Sequence, residues 1–197
     1  MEKRVLGVGG SPRSGGNSDV MLQRVLRGAE DTGVEANALY LRNYSFSSCL
    51  GCEACRKDRV CTRLLDGMQL IYPEIVKSQG IVLATPVHFY NVSALMKAFI
   101  DRLYCFFDFT KDHPRQYHVR LPGKGRRAVT CAVCEQMSEQ DMGLTQEAMR
   151  FPLQALGYGI ESEVSAYGYF AKGTVAQSEE LMHKCEEAGR SLARSMQ

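Results

Sequence analysis

Four cysteines fall within thirteen residues, at Cys49, Cys52, Cys55 and Cys61, in a C-x2-C-x2-C-x5-C array. Thiolates are ligands and redox groups, and four on one short loop can wrap a compact [4Fe-4S] cubane, which accepts closely spaced ligands. Structural zinc usually takes two ligand pairs separated by a longer spacer, so it fits the spacing less well. Free thiols or a disulfide are a third reading. The array is not the bacterial ferredoxin run, in which the fourth cysteine follows after three residues and precedes a proline; here Thr62 follows Cys61 and no second array exists. Cys131 and Cys134 have CxxC spacing at a strand end and read as structural or as a thiol pair. Cys105 and Cys185 fall in helical stretches and read as core residues.

A second concentration of chemistry is the segment GGSPRSGGNS, residues 9–18, between the apolar run Val5 to Gly9 and apolar residues at helical spacing, Val20, Met21, Val25, Leu26 and Ala29. A strand, loop and helix in that order point free N–H groups and a helix dipole at an anion. A Walker loop is excluded, because Asn17 and Ser18 stand where a lysine is required, and Pro12 breaks a GxGxxG fingerprint. What remains are the hydroxyls of Ser11, Ser14 and Ser18, the Asn17 amide, the Gly16 backbone and the Arg13 guanidinium, a set suited to a terminal monophosphate. The plainer alternative is a glycine turn with Asn17 as helix N-cap.

A third segment, Pro86, Val87, His88, Phe89, Tyr90 and Asn91, follows the apolar run IVLAT. It offers aromatic faces and backbone donors, as a flavin ring would need. With no Trp in the chain, any stacking partner must be His, Phe or Tyr. The alternative is an aromatic hinge packed into the core. A monophosphate loop, without a dinucleotide fingerprint, predicts FMN rather than FAD. A further loop, Ala132 to Met137, is expected to close the other side.

These segments need elements to position them. Strands are expected at Val5–Gly9, Val34–Leu41, Gly80–Thr85, Arg127–Val133 and Ile160–Ser165. Helices are expected after Asn17 and at Met68–Val76, Ser93–Leu103, Leu144–Leu156 and Gln177–Met196. Five strands alternating with five helices predict an α/β fold, a doubly wound five-stranded parallel sheet of the flavodoxin type with helices on both faces. The cysteine loop at 47–62 leaves the second strand and should therefore share a sheet edge with the phosphate loop. Phe106 to Lys124 reads as one long irregular stretch. Its Phe106, Phe107, Phe109 and Tyr117 need covering, which predicts a homodimer or homotetramer.

The 197 residues, 45% hydrophobic and 23% charged, suit a single domain over 1–197. The net charge of +2 is spread along the chain and predicts neither nucleic acid nor membrane as a partner. No apolar run approaches the ~20 residues of a bilayer span. The start, MEKRVLGVGG, shows no cleavage-site pattern, so the expected location is cytoplasmic.

Gly10, Ser11, Arg13, Asn17 and Ser18 resemble the GSxRxxSxN-type phosphate loop of the NADPH-dependent FMN reductase family, with Gly16 where that pattern frequently has Ser. The resemblance continues through ATPVHFYNVSALMKAFIDR. It implies that the first loop binds the FMN phosphate, that Pro86 to Asn91 embrace the isoalloxazine, and that NAD(P)H is an electron donor. The cysteine spacing resembles that of iron-sulfur flavoproteins, which implies that all four cysteines ligate one [4Fe-4S] cluster. Together these imply an FMN-dependent electron-transfer oxidoreductase serving a redox partner protein or a small-molecule acceptor. The alternative is an NAD(P)H:FMN or quinone reductase without a working cluster. No catalytic acid or base is required.

Overall fold

The computed structural model describes residues 3–123 and 125–196. The elements are β1 (Arg4–Gly9), α1 (Asn17–Glu30), β2 (Glu35–Tyr40), α2 (Cys55–Asp58), α3 (Met68–Lys77), β3 (Gly80–Pro86), α4 (Ala94–Arg102), β4 (Phe107–Phe109), β5 (Tyr117–Val119), β6 (Arg127–Val133), α5 (Thr145–Ala155), β7 (Gly159–Ala166) and α6 (Glu179–Ser195). The main sheet is parallel, in the order β2-β1-β3-β6-β7, the flavodoxin-type arrangement expected from the alternation of elements. The central strands β1, β3 and β6 are buried almost throughout, as apolar runs between two helical layers must be, whereas the edge strand β2 alternates between inside and outside.

Each face of the sheet carries its own core. On one, Leu83, Phe99, Met149 and Leu153 pack with α3, α4 and α5; on the other, Val82, Val129, Leu22 and Leu192 pack with α1 and α6. The α1–α6 crossing brings backbone against backbone. A Cβ on Gly28 would overlap the Glu186 carbonyl, and one on Gly189 would overlap the Val25 carbonyl.

The sequence differs from the structure in one region. Phe106 to Gly123 is irregular only in part: β4 and β5 pair antiparallel, with Phe107 opposite Val119 and Phe109 opposite Tyr117, while residues 110–116 and 120–123 carry no strand or helix and Lys124 lies outside the described residues. The aromatic side chains cover one another in part, and Tyr117 stays 51% exposed. Tyr104 stacks on Phe109 at 5.0 Å and Phe107 meets Tyr117 edge-on at 5.1 Å, and Phe106 is buried in the core. Cys105 and Cys185 are core residues, and burial pushes their thiols up to about 11 and about 12. Cys131 and Cys134 are also buried, with thiols raised by desolvation. Among the described residues, no helix is long and apolar enough to cross a membrane.

Candidate flavin site and cysteine loop

The sheet order reverses between β1 and β3, where the carboxyl ends of doubly wound strands leave a crevice. A cavity of about 240 Å3 lies there. One wall is Ser11, Arg13 and Ser18; opposite are Pro86, Val87 and His88, with Val133 and Glu135 from the loop after β6. Tyr169 and Phe170, from the segment after β7, complete it. Three of these four segments were expected from the sequence. Tyr169 and Phe170 carried no signal, because they become neighbours only through the crossover.

Within the phosphate loop the side chains divide their work. Ser11 turns the chain: its hydroxyl accepts from the Arg13 N–H (3.1 Å) and donates to the Arg13 carbonyl (3.0 Å). The Gly15 N–H donates to the Asp19 carboxylate (2.8 Å), which pairs with Arg42 (2.9 Å). Gly16, not Asn17, is the N-cap residue of α1. Asn17 is buried and lines the same cavity, with its side-chain amide engaged by the segment after β7. Its amide nitrogen donates to the carbonyls of Ala171 (3.0 Å) and Tyr169 (3.3 Å), and its amide oxygen accepts from the Val175 N–H (3.3 Å). Asn17 therefore ties the 169–175 segment to the loop. The Asp19 and Val20 N–H groups already donate to the Gly16 carbonyl (3.0 and 3.1 Å), so the donors left for an anion are the Asn17 and Ser18 N–H groups at the start of α1, with the Ser18 hydroxyl and the Arg13 guanidinium. The latter lies 5.7 Å from the Phe170 ring centre.

The loop after β3 ends in a two-residue turn. His88 and Asn91 exchange both backbone hydrogen bonds, and Phe89 and Tyr90 between them have φ of +52° and +64°. Such a turn normally uses Asn-Gly. Left-handed aromatic residues are strained, by about 1–3 kcal/mol each, and such strain clusters at functional sites. Phe89 is 97% exposed and Tyr90 56%. Pro86 to His88 face the cavity, whereas Phe89, Tyr90 and Asn91 stand outside its lining. The Asn91 amide oxygen accepts from the Val92 N–H (2.8 Å).

The cysteine loop lies at the same sheet edge, beyond β2. Cys49, Cys52, Cys55 and Cys61 line one cavity of about 370 Å3. Burial and then the neighbouring thiols of Cys61, Cys49 and Cys52 push the Cys55 thiol above its ordinary range. The Gly51 N–H points at the Cys49 sulfur (3.5 Å), and Gly51, Glu53 and Arg59 have positive φ, so the chain turns repeatedly around the cavity. The four sulfurs do not close on a single ion: among the described residues, no three of His, Cys, Asp or Glu are gathered tightly enough for that. A zinc ion needs metal–sulfur distances of ~2.3 Å, whereas a multi-atom cluster needs thiolates ranged around a larger volume.

The sequence profile of the NADPH-dependent FMN reductase family matches residues 3–132, which include the phosphate loop, the Pro86 to Asn91 loop and the cysteine array, but not the crevice segments after β6 and β7. The chain belongs to the NADPH-dependent FMN reductase family. It is similar to an iron-sulfur flavoprotein of Methanosarcina thermophila, 33% identical over 99 residues (50% of this chain, 51% of that protein). An iron-sulfur flavoprotein of Archaeoglobus fulgidus is 36% identical over 98 residues (50% of this chain, 49% of that protein). The chain spans about half the length of these relatives. Among solved structures, an NAD(P)H:quinone oxidoreductase from Methanothermobacter marburgensis superposes with a TM-score of 0.70 at 17% identity, over 98% of this chain and 96% of that one. An archaeal flavodoxin gives 0.60 at 11% identity, over 98% of each chain. At such identities these two structures speak for the fold alone.

Proposed function

We propose that this FMN reductase family member is a flavin-dependent oxidoreductase that holds FMN in the crevice between β1 and β3 and a [4Fe-4S] cluster on Cys49, Cys52, Cys55 and Cys61. The observation that carries the flavin assignment is the convergence of the phosphate loop, Pro86 to His88 and the loop after β6 on one cavity. The donor set fits a phosphate, since the Asn17 and Ser18 N–H groups at the start of α1, the Ser18 hydroxyl and Arg13 remain for an anion. The cavity is smaller than the ~300–1,000 Å3 of sites that enclose a whole ligand, so part of the flavin stays uncovered and accessible to a reductant or acceptor.

The cluster assignment rests on the sharing of one cavity by all four thiols and on the similarity to iron-sulfur flavoproteins. When bound, FMN exchanges one or two electrons and the cluster one, so the pair suits a relay between NAD(P)H, a redox partner protein or a small acceptor. The chain's own residues bind and orient. Arg13 and the α1 amino terminus anchor the phosphate, Pro86 to His88 line the ring cavity, and Gly51 donates an N–H to the Cys49 sulfur. We also propose a homodimer or larger oligomer, in which Phe89 and Tyr90, exposed beside the cavity, would find cover.

Anaerobically purified protein tests both assignments. Chromatography of released flavin should give FMN; FAD would overturn the first. Iron and sulfide analysis after reconstitution should approach four of each per chain, with broad absorption near 400 nm that bleaches on reduction. Fewer than about two irons would favour the second reading, a cluster-free NAD(P)H:flavin or quinone reductase. Replacing any one of the four cysteines with Ser should remove the cluster absorption and leave FMN bound. Arg13→Ala should weaken FMN binding by about 1.5–3 kcal/mol, the range for a hydrogen bond to a charged group.

A further inference from the structure

The two cavities are joined by a single rigid element. At its amino end, α4 is capped by Ser93, whose hydroxyl accepts from the Met96 N–H (3.2 Å) and donates to the Gly10 carbonyl of the phosphate loop (2.5 Å). The Ser93 N–H is itself held by the Thr85 hydroxyl (3.1 Å). Nine residues later, about 13 Å along the axis at 1.5 Å per residue, the helix ends in Arg102. Its side chain is 1% exposed and borders the cysteine cavity.

The Arg102 guanidinium grips both ends of the cysteine loop. One nitrogen donates to the Ser47 carbonyl (2.8 Å), two residues before Cys49; the other donates to the Leu64 carbonyl (3.4 Å), three residues after Cys61. The same two nitrogens make a bidentate pair with the Asp66 carboxylate at 2.8 and 3.1 Å. Asp66 in turn accepts from the Ser47 N–H and the Met68 N–H, both at 3.1 Å. Gln69 supports the second end by donating to the carbonyls of Cys61 and Leu64, each at 3.1 Å. The stretch between has its own ties, Arg56 donating to the Tyr104 hydroxyl (2.8 Å) and Arg120 to the Arg59 carbonyl (2.6 Å), but these do not join its two ends, and Cys49 and Cys52 are exposed.

We infer that Arg102, with Asp66, is the positioning pair of the cysteine array: it closes the two ends of the loop on the end of α4, so that four thiols face one cavity at a fixed place relative to the flavin crevice. A planar fork can satisfy two carbonyls and a carboxylate together, and a lysine cannot. The role in cluster retention rests on the cluster proposed above; the role in holding the loop does not. Loop opening is therefore read separately from iron.

The experiment uses the full-length, FMN-loaded protein as parent, Arg102→Met, Arg102→Lys and Asp66→Asn. Loop opening is measured as tryptic cleavage after Lys57 and Arg59, located by mass spectrometry, and cluster retention as the decay of absorption after anaerobic reconstitution. Expected for Arg102→Met is cleavage faster by about tenfold or more, with FMN content retained and the cluster decaying correspondingly faster. Arg102→Lys should fall between it and the parent, a partial rescue that general destabilisation would not produce. Should Arg102→Met fail to fold, Arg102→Met combined with Asp66→Leu removes both buried charges and replaces it. Parent-like cleavage overturns the assignment whatever the iron content. Loss of FMN together with loop opening in Arg102→Lys also overturns it, because the residue would then serve the whole fold. Faster cleavage in a family of proteins that never takes up iron supports the clamp and removes the cluster.

Discussion

The flavin crevice and the cysteine cavity share one edge of the sheet and are built by opposite means. Around the crevice, the side chains that set the geometry are buried and spend their hydrogen bonds on backbone: Asn17 on the 169–175 segment, Ser93 on Gly10, Ser11 on Arg13. That site is preformed, with donors left over for its ligand. The cysteine loop has three left-handed residues, two exposed thiols and a grip at its ends. The cluster proposed above would supply much of its order, as metal binding commonly does when a site is incomplete without it.

The sharpest test of the preformed side is the helix crossing behind it. Gly189→Val places side-chain atoms where α6 meets the Val25 carbonyl of α1, the helix that carries the phosphate loop. Overpacking against backbone should cost about 3 kcal/mol or more, read from denaturant unfolding of the apoprotein. A loss under ~1 kcal/mol would mean that the helices slide apart freely, and the crevice would not be rigid. Next in size is Asn17→Ala, which leaves the Val175 N–H and the Tyr169 and Ala171 carbonyls short of a partner. It should cost about 1–3 kcal/mol and weaken FMN binding, while the number of cysteines titrating with a thiol reagent stays that of the parent. A change in thiol titration would join two regions that the comparison keeps apart.

The fold was legible because its ten main elements announce themselves by period and punctuation: IVLAT as a strand buried on both faces, and a glycine loop before a helix. The hairpin of β4 and β5 was not, since three-residue strands leave no periodicity and its cover comes from Tyr104 and Arg56 elsewhere in the chain. Candidate ligands were found by residue type, but their division of labour was not. Asn17 reads as a phosphate ligand or a cap in sequence; in space it lines the crevice and its side-chain amide is also a tertiary clamp, on three partners more than 150 positions away. Arg102 and Asp66 gave no local sign, being 36 residues apart.

Acid should separate the two regions. Burial raises the Asp66 carboxyl, but hydrogen bonds from Arg102 and from the Ser47 and Met68 N–H groups outweigh it and hold the group below its ordinary 3.8. A depressed carboxyl stabilises the folded form above its unfolded value, and the contribution disappears as the pH falls through the folded value. Amide exchange in residues 48–60, corrected for intrinsic rates, should therefore accelerate below pH 3.8 while the core strands stay protected. Equal loss in both regions would show that the loop has no separate clamp.

The smallest expected effect concerns the point where the preformed side carries strain. Phe89 occupies the first position of a turn that wants Asn or Gly, with φ of +52°, and its ring lies 97% in solvent, so almost no packing offsets the strain. Asn adopts the left-handed region more readily than Phe and does not loosen the unfolded chain as Gly does. Phe89→Asn should therefore stabilise the apoprotein by about 0.5–1 kcal/mol in denaturant unfolding. If the ring earns its place by covering the flavin or a second copy of the chain, the gain should shrink when FMN is bound and protein concentration is high. A variant equally stabilised in apo and FMN-loaded forms, with unchanged FMN affinity and association state, would show that Phe89 covers neither. The strain would then be a property of the turn alone, and the aromatic edge of the crevice would begin at His88.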